Sequence, residues 1–117
     1  MKKNAEIERM KKRYARLTAR LAKLGPVLQG TITERTIQRE DPERPGRKKN
    51  YGPYYQWTFK RNGKTVTVNL TSSQAKAYQK AIDNHRKMED ILQEMRELSL
   101  SILEKTTKGV EKRKSAE

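Results

Sequence analysis

Apolar residues in the first part of the chain recur with the spacing of one helix face. Successive members are separated by 3, 4, 3, 4 and 3 residues: Ile7, Met10, Tyr14, Leu17, Leu21 and Leu24. This spacing predicts an amphipathic, coiled-coil-like helix over residues 5–24. Gly25 and Pro26 end it, because glycine accepts the conformation of a helix C-cap and proline cannot continue the hydrogen-bond ladder.

A strand-type pattern follows, and it predicts a three-stranded antiparallel sheet over residues 27–70. β-branched residues between positions 31 and 37 indicate a first strand, whose irregular alternation predicts a bulge or an early end. Proline, glycine and nearly continuous charge predict an exposed basic loop over residues 40–52. Two alternating runs then flank Asn62 and Gly63, which predicts a hairpin with a type I′ turn.

Strict alternation divides this predicted hairpin into two faces. One face is apolar and is assigned to the core: Tyr55, Trp57, Phe59, Val66, Val68 and Leu70. The other face is polar: Tyr54, Gln56, Thr58, Lys60, Thr65, Thr67 and Asn69. The hairpin therefore has one side for packing and one side for contact with water or a ligand.

Residues 72–104 have the pattern of a long second helix. Thr71 and Gln74 are spaced as a capping box, in which each side chain bonds the backbone N–H of the other residue. After residues that can cover the sheet, the helical spacing of the first helix returns at Met88, Ile91, Met95, Leu98 and Ile102. The two helices are therefore expected to pair, either as an antiparallel coiled-coil-like hairpin or in a dimer. Residues 105–117 lack this periodicity and are predicted to be a flexible basic tail.

These elements predict one α+β domain over residues 1–117, and its charge changes the functional interpretation. The chain has 28 Lys and Arg against 14 Asp and Glu, so its formal net charge is +14. Residues 1–70 carry most of this excess. A charge of this size attracts polyanions, and nucleic acid is the expected partner.

Several classes of function find no support in the residues. Cysteine is absent, so neither disulfides nor a thiolate metal site is predicted. His85 is the one histidine and has Arg86 and Lys87 beside it, which gives no pair of nucleophile and base. No enzyme activity, cofactor or metal is therefore predicted. The first residues are charged and no apolar run spans a membrane, so we expect a cytoplasmic protein, associated with the nucleoid if it binds DNA.

The candidate nucleic-acid-binding residues fall into two groups. A two-stranded ribbon fits the DNA major groove, where Gln and Asn can pair with adenine, and Lys and Arg with guanine. The hairpin candidates are Tyr54, Gln56, Thr58, Lys60, Arg61, Lys64, Thr65, Thr67 and Asn69. The candidates for phosphate contact are Arg9, Arg13, Arg16 and Arg20 of the first helix, with Arg44, Arg47, Lys48 and Lys49 of the loop.

Duplex DNA is the favoured ligand, and two alternatives stay open. Tyr51 and Tyr54 are able to stack on unpaired bases, which would suit an RNA-binding component of a ribonucleoprotein. The apolar helix seams would suit a structural adaptor that binds a protein partner. For the polar hairpin face, the simplest interpretation is the solvated side of an antiparallel sheet.

Two motifs carry a resemblance to a known group of proteins. Gly52-Pro53-Tyr54-Tyr55-Gln56-Trp57 and, further on, Asn62-Gly63-Lys64-Thr65-Val66-Thr67 make the chain similar to a prokaryotic family of small basic proteins of unknown function. The resemblance covers roughly residues 25–104. It implies association with a mobile element and a transposase, recombinase or nuclease partner. Family members have cysteines before the first motif, whereas this chain has residues 44–50 without cysteine. The order of three strands and a helix also resembles the arm-type DNA-binding domains of tyrosine recombinases.

Overall fold

The computed structural model describes residues 2–110 of the chain, in which a helix precedes three strands and a second helix follows them. The elements are α1 (Lys2–Ala22), β1 (Thr31–Glu40), β2 (Lys48–Arg61), β3 (Lys64–Leu70) and α2 (Ser72–Thr106). This confirms the predicted α+β order. The chain forms two compact units, a sheet unit over Gly25–Arg86 and a helical unit built from Met1–Leu24 and Lys87–Glu117. A single domain over 1–117 stays a prediction, and residues 111–117 of the predicted tail lie outside the described residues.

The sheet is antiparallel throughout, with the strand order β1-β2-β3. A tight turn connects β2 to β3, with Asn62 at a φ of 52° and Gly63 at a φ of 76°. Two successive positive φ angles are the signature of a type I′ turn, which explains why Asn-Gly stands at this point. The predicted hairpin is therefore confirmed.

The first two strands are longer than predicted, and the loop between them is shorter. β1 extends to Glu40 and β2 starts at Lys48, so residues 41–47 alone connect them, in place of the predicted loop 40–52. The register shifts between Arg35 and Ile37, where β1 advances two residues while β2 advances three, from Tyr54 to Tyr51. The predicted bulge is thus present, and its extra residue belongs to β2. The first strand does not end early.

The core of the sheet unit lies between the apolar face of the sheet and the first half of α2. Ile82 of α2 is 4% exposed, and Leu70 of β3 is also buried. The Trp57 ring meets the Tyr78 ring edge to face at 5.5 Å, and its Nε1–H donates a hydrogen bond to the Gln29 carbonyl oxygen at 2.8 Å. The predicted assignment to the core is confirmed for Leu70, whereas Trp57 is half-buried and Val68 is 37% exposed.

The segment before β1 is tied to this core by its backbone. The Leu28 N–H donates to the Ala81 carbonyl oxygen at 3.1 Å, and the buried Asn84 amide donates to the Pro26 carbonyl oxygen at 2.9 Å. Gly30 passes so close to the tryptophan that a Cβ there would lie 2.4 Å from Trp57 Nε1. Only glycine permits this approach.

A reciprocal capping box starts α2, as predicted. The Gln74 backbone N–H donates to Thr71 Oγ1 at 3.2 Å, and the Thr71 N–H donates to Gln74 Oε1 at 2.9 Å. These bonds satisfy two backbone donors that the first turn of a helix leaves without partners. They fix where α2 begins relative to the end of β3.

In the helical unit, burial follows the predicted seam. Of residues 3–24, six are not exposed: Ile7, Met10, Tyr14, Leu17, Leu21 and Leu24. Leu17 is 1% exposed, and Ile91 of α2 is 3% exposed. Arg13 of α1 and Glu94 of α2 form an ion pair at 2.7 Å. The coiled-coil-like pairing of the helices, within one chain or between two, stays a prediction. Within residues 2–110, neither helix is long and apolar enough to cross a membrane.

Candidate nucleic-acid interface

The polar side of the sheet, which we call the outer face, faces away from α2. Residues paired across strands share a face, so the register defines its members. The strand β1 contributes Thr31, Thr33, Arg35, Ile37 and Arg39. The strands β2 and β3 contribute Lys49, Tyr51, Tyr54, Gln56, Thr58, Lys60, Thr65, Thr67 and Asn69. None of these residues is buried.

The acidic strand residues are confined to one side of the sheet. The outer face carries four basic residues, Arg35, Arg39, Lys49 and Lys60, and no acidic residue among the described strand positions. Both acidic strand residues, Glu34 and Glu40, belong to the opposite, inner face, where they pair with Tyr55 and Lys48. The outer face therefore has an unmixed positive charge.

The centre of the outer face is built from amides and hydroxyls. Gln56 Nε2 donates a hydrogen bond to Asn69 Oδ1 at 3.2 Å, across strands β2 and β3. The hydroxyl oxygens of Thr58 and Thr67 lie 3.5 Å apart in the neighbouring cross-strand pair. These contacts hold the polar groups in fixed positions and leave further donors and acceptors directed at solvent.

A hollow of about 280 Å³ opens on the same face next to the amide pair. Its lining comprises Arg35, Ile37, Tyr54, Tyr55, Gln56, Asn69 and Leu70. Tyr54 is 47% exposed. The hollow thus brings a cation, apolar side chains and two amides to one concave surface.

Two of the predicted hairpin candidates do not belong to this face. Arg61 and Lys64 pair at the end of the hairpin in the row that follows Phe59 and Val66, so they share the side of the apolar residues. The Arg61 guanidinium lies 5.5 Å from the centre of the Phe59 ring. The expectation of one surface that contains Lys60, Arg61 and Lys64 together is wrong, because the side-chain period of a strand is two residues.

The predicted loop candidates are divided between the turn and the strand. Arg44 and Arg47 lie in the turn region, where Asp41 accepts the backbone N–H of Arg44 at its carbonyl oxygen and that of Glu43 at Oδ1. Lys48 and Lys49 belong to β2. Of these two, Lys49 is on the outer face, with its ammonium 5.5 Å from the centre of the Tyr51 ring.

Sequence reasoning missed two basic residues, Arg35 and Arg39. They belong to β1, whose irregular alternation predicted a bulge or an early end, and neither was assigned to a face of the sheet. One signal was present, since Thr31, Thr33, Arg35, Ile37 and Arg39 alternate with a period of two. What hid it is the apolar pattern, because Ile32 belongs to the inner face and Ile37 to the outer face, so the two isoleucines of β1 do not alternate.

The predicted arginines of the first helix belong to the helical unit. Arg9, Arg13, Arg16 and Arg20 are all exposed on α1. Arg13 is engaged with Glu94 through Nη2 and Oε2, so its charge is partly matched. An ion pair at such an exposed position is weak, and a phosphate group is able to compete for the arginine.

Neither metal chemistry nor similarity to known proteins adds a further candidate. Among the described residues, no three His, Cys, Asp or Glu side chains are grouped to hold a metal ion. No protein-family model, curated protein or solved structure matches the chain. The resemblance to the mobile-element family therefore stays an expectation.

Proposed function

We propose that the sheet unit binds nucleic acid through its outer face and that duplex DNA is the ligand. The supporting observation is that the outer face carries Arg35, Arg39, Lys49 and Lys60 and no acidic residue, whereas both acidic strand residues belong to the inner side. A solvated sheet face needs polar residues, but it needs no single sign of charge. An unmixed positive face favours a polyanion.

The size of the sheet suits the DNA major groove. Neighbouring strands are about 4.8 Å apart, so the backbones of three strands span about 10 Å, whereas the groove is about 12 Å wide. In this proposal the outer face enters the groove with Gln56 and Asn69 towards base edges. The four basic residues contact phosphates or guanine.

The proposed role is non-enzymatic. Binding would make the protein an accessory factor that acts in the cytoplasm, on the DNA of a mobile element and beside a transposase, recombinase or nuclease. The mobile element and this partner rest on the resemblance of the Gly52–Trp57 and Asn62–Thr67 motifs. The DNA ligand rests on the outer face and does not depend on that resemblance.

One observation favours RNA or single-stranded DNA as the second candidate. Tyr54 is 47% exposed in the middle of the outer face, and Tyr51 belongs to the same face. Exposed aromatic rings next to basic residues are typical of surfaces on which unpaired bases stack. Comparing the affinity for duplex DNA with that for single-stranded DNA and structured RNA separates this candidate from the first.

A protein-binding adaptor is the third candidate, and it concerns the helical unit. Leu100 and Leu103 of α2 are 59% and 56% exposed. Leu103 also lines an apolar hollow of about 350 Å³ together with Tyr14 and Ile102. Exposed leucines next to an apolar hollow are a feature of protein-binding surfaces.

The experiment compares the affinity of the full chain for duplex DNA, single-stranded DNA and structured RNA of matched length over a range of salt concentrations. Four phosphate contacts on a duplex predict a slope of log K against log salt of about −3.6. Tightest binding to the duplex supports the proposal, and a preference for single strands or RNA supports the second candidate. Weak binding that is equal for all three ligands would overturn both and leave the adaptor.

A matched control tests whether total charge alone drives binding. Lys76→Ala with Lys80→Ala removes two charges from the exposed surface of α2 within the same unit, and Arg35→Ala with Lys60→Ala removes two from the outer face. We expect the outer-face variant to lose the larger part of the affinity. Equal losses would show that the charge acts without a defined site.

A further inference from the structure

The cross-strand amide pair at the centre of the outer face has donors and acceptors to spare. Gln56 and Asn69 share one hydrogen bond of 3.2 Å. A side-chain amide has two N–H donors and one carbonyl oxygen. Whichever amide donates to the other, the pair keeps one carbonyl oxygen that receives no hydrogen and an NH₂ group that has not yet donated. The pair therefore keeps three of its four N–H donors and one carbonyl oxygen that receives no hydrogen bond from its partner.

The position of this pair makes those groups accessible to a base. Gln56 is half-buried and Asn69 is exposed, and both line the hollow of about 280 Å³. They lie directly opposite each other on adjacent strands. Because the shared hydrogen bond and the strand pairing restrict both side chains, binding costs less conformational entropy than it would for two mobile amides.

The major-groove edges of the four bases differ in their order of donors and acceptors. Adenine presents one acceptor, N7, next to one donor, the N6 amino group. Guanine presents two acceptors, cytosine one donor, and thymine one acceptor beside a methyl group. Adenine alone presents a donor beside an acceptor, so it alone uses the free carbonyl oxygen and a free N–H of the pair together.

We infer that the outer face recognises an adenine of an A·T pair, with the free amide oxygen of the Gln56–Asn69 pair accepting from N6 and a free amide N–H donating to N7. This inference rests on the proposed function, and it adds the identity of one base to it. Arg35, in the next row of the same face, supplies the positive charge that keeps a phosphate backbone near the hollow.

The first test selects preferred sites from a random library of duplexes with the wild-type full chain. The same selection is run with Gln56→Ala, with Asn69→Ala and, as a control, with Lys76→Ala on α2. We expect one adenine position in the wild-type and control sites and its loss from both amide variants. An adenine position that persists in both amide variants would overturn the inference.

The second test needs no change in the protein. In the selected duplex, 7-deazaadenine replaces the adenine and removes the N7 acceptor while base pairing is kept. Wild-type affinity should fall about tenfold, within the range of one base-edge contact. Asn69→Ala should bind both duplexes with equal affinity, since the contact is already lost. Unchanged wild-type affinity for the analogue would overturn the inference.

These tests separate the inference from the function on which it rests. If duplexes bind with a steep salt slope but no adenine position emerges, the adenine inference fails and the DNA-binding proposal stands. If no duplex binds at physiological salt, the proposed function fails, and the inference fails with it. Thermal unfolding of each variant, followed by circular dichroism, confirms that every compared protein is folded.

Discussion

The two faces of the sheet are built from alternate residues of the same three strands, yet they have different chemistry. On the inner face, Trp57 packs against Tyr78 and bonds to the backbone of Gln29. On the outer face, Gln56 bonds to Asn69 and the surrounding charge has one sign. Neighbours in sequence therefore have separable roles: a substitution at position 57 acts on folding, whereas one at position 56 leaves the core intact.

The largest expected effect belongs to the inner face. Trp57→Ala removes the ring that packs on Tyr78 and the hydrogen bond to Gln29, so we expect the free energy of unfolding to fall by about 3 kcal/mol. Urea unfolding, monitored by circular dichroism, measures this free energy of unfolding. Thr67→Ala, on the outer face, is the control and should cost less than about 1 kcal/mol. Similar losses in the two variants would contradict the assignment of the core to the inner face.

The second effect belongs to the outer face and appears in binding. Arg35→Ala with Lys60→Ala removes two outer-face charges, so the salt slope for duplex DNA should become shallower by about 2 units. Near physiological salt the loss should be about tenfold or more, which corresponds to about 1.4 kcal/mol. Anisotropy titrations with a labelled duplex measure both quantities.

The comparison variant for this prediction is Arg61→Ala with Lys64→Ala, which removes the same charge from the inner side of the sheet. This inner-side variant should lose less affinity for duplex DNA than the variant of Arg35 and Lys60. Lys60→Ala with Arg61→Ala takes one charge from each side and should lie between the two. If all three double variants lose the same affinity, the face of a basic residue does not matter and the outer face is not the site.

A third, smaller effect tests α2 without changing either face. Thr71→Ala removes the hydroxyl that accepts the Gln74 backbone N–H, which should lower the free energy of unfolding by about 1 kcal/mol. Thermal and urea unfolding detect a change of this size. Affinity for duplex DNA should be unchanged in the folded protein. An affinity loss as large as that of the outer-face variant would mean that the helix start contributes to the site.

The smallest effect is expected from the ion pair of the helical unit. Arg13→Ala breaks the ion pair with Glu94. Because both side chains are about half exposed, the free energy of unfolding should change by less than about 0.5 kcal/mol. Thermal unfolding measures it, and Leu17→Ala, which removes a buried side chain, is the positive control at about 3 kcal/mol. A loss above about 1 kcal/mol for Arg13→Ala would show that helix packing depends on this pair.

Local patterns predicted much of the fold because their physical causes are local. The helix seam, the Asn62-Gly63 turn and the capping box at Thr71 each depend on spacing within a few residues, and all three are present. The polar hairpin face follows from alternation alone. Its members from Tyr54 to Asn69 were identified on that basis, except for the error at Arg61 and Lys64.

Other features depend on contacts between distant residues. Strands β1 and β2 extend into charged and proline-containing residues that were predicted to be a loop. They do so because the two strands hydrogen-bond to each other there. The position of Gln29 follows from its bond to Trp57, which is 28 residues away. Alternation within β1 groups Arg35 with Arg39, but only the pairing of β1 with β2 shows that this group shares the face of Tyr54 and Gln56.

Strands β1 and β3 form the two open edges of the sheet. Unpaired backbone at a sheet edge can hydrogen-bond to another molecule of the same protein and start aggregation. Like charge on the outer faces opposes this approach, and salt weakens that repulsion by shortening the Debye length from about 10 Å at 0.1 M to about 3 Å at 1 M. We therefore expect concentrated samples of the free protein to scatter more light as salt is added. The same positive face would thus keep the molecules apart until a polyanion occupies it.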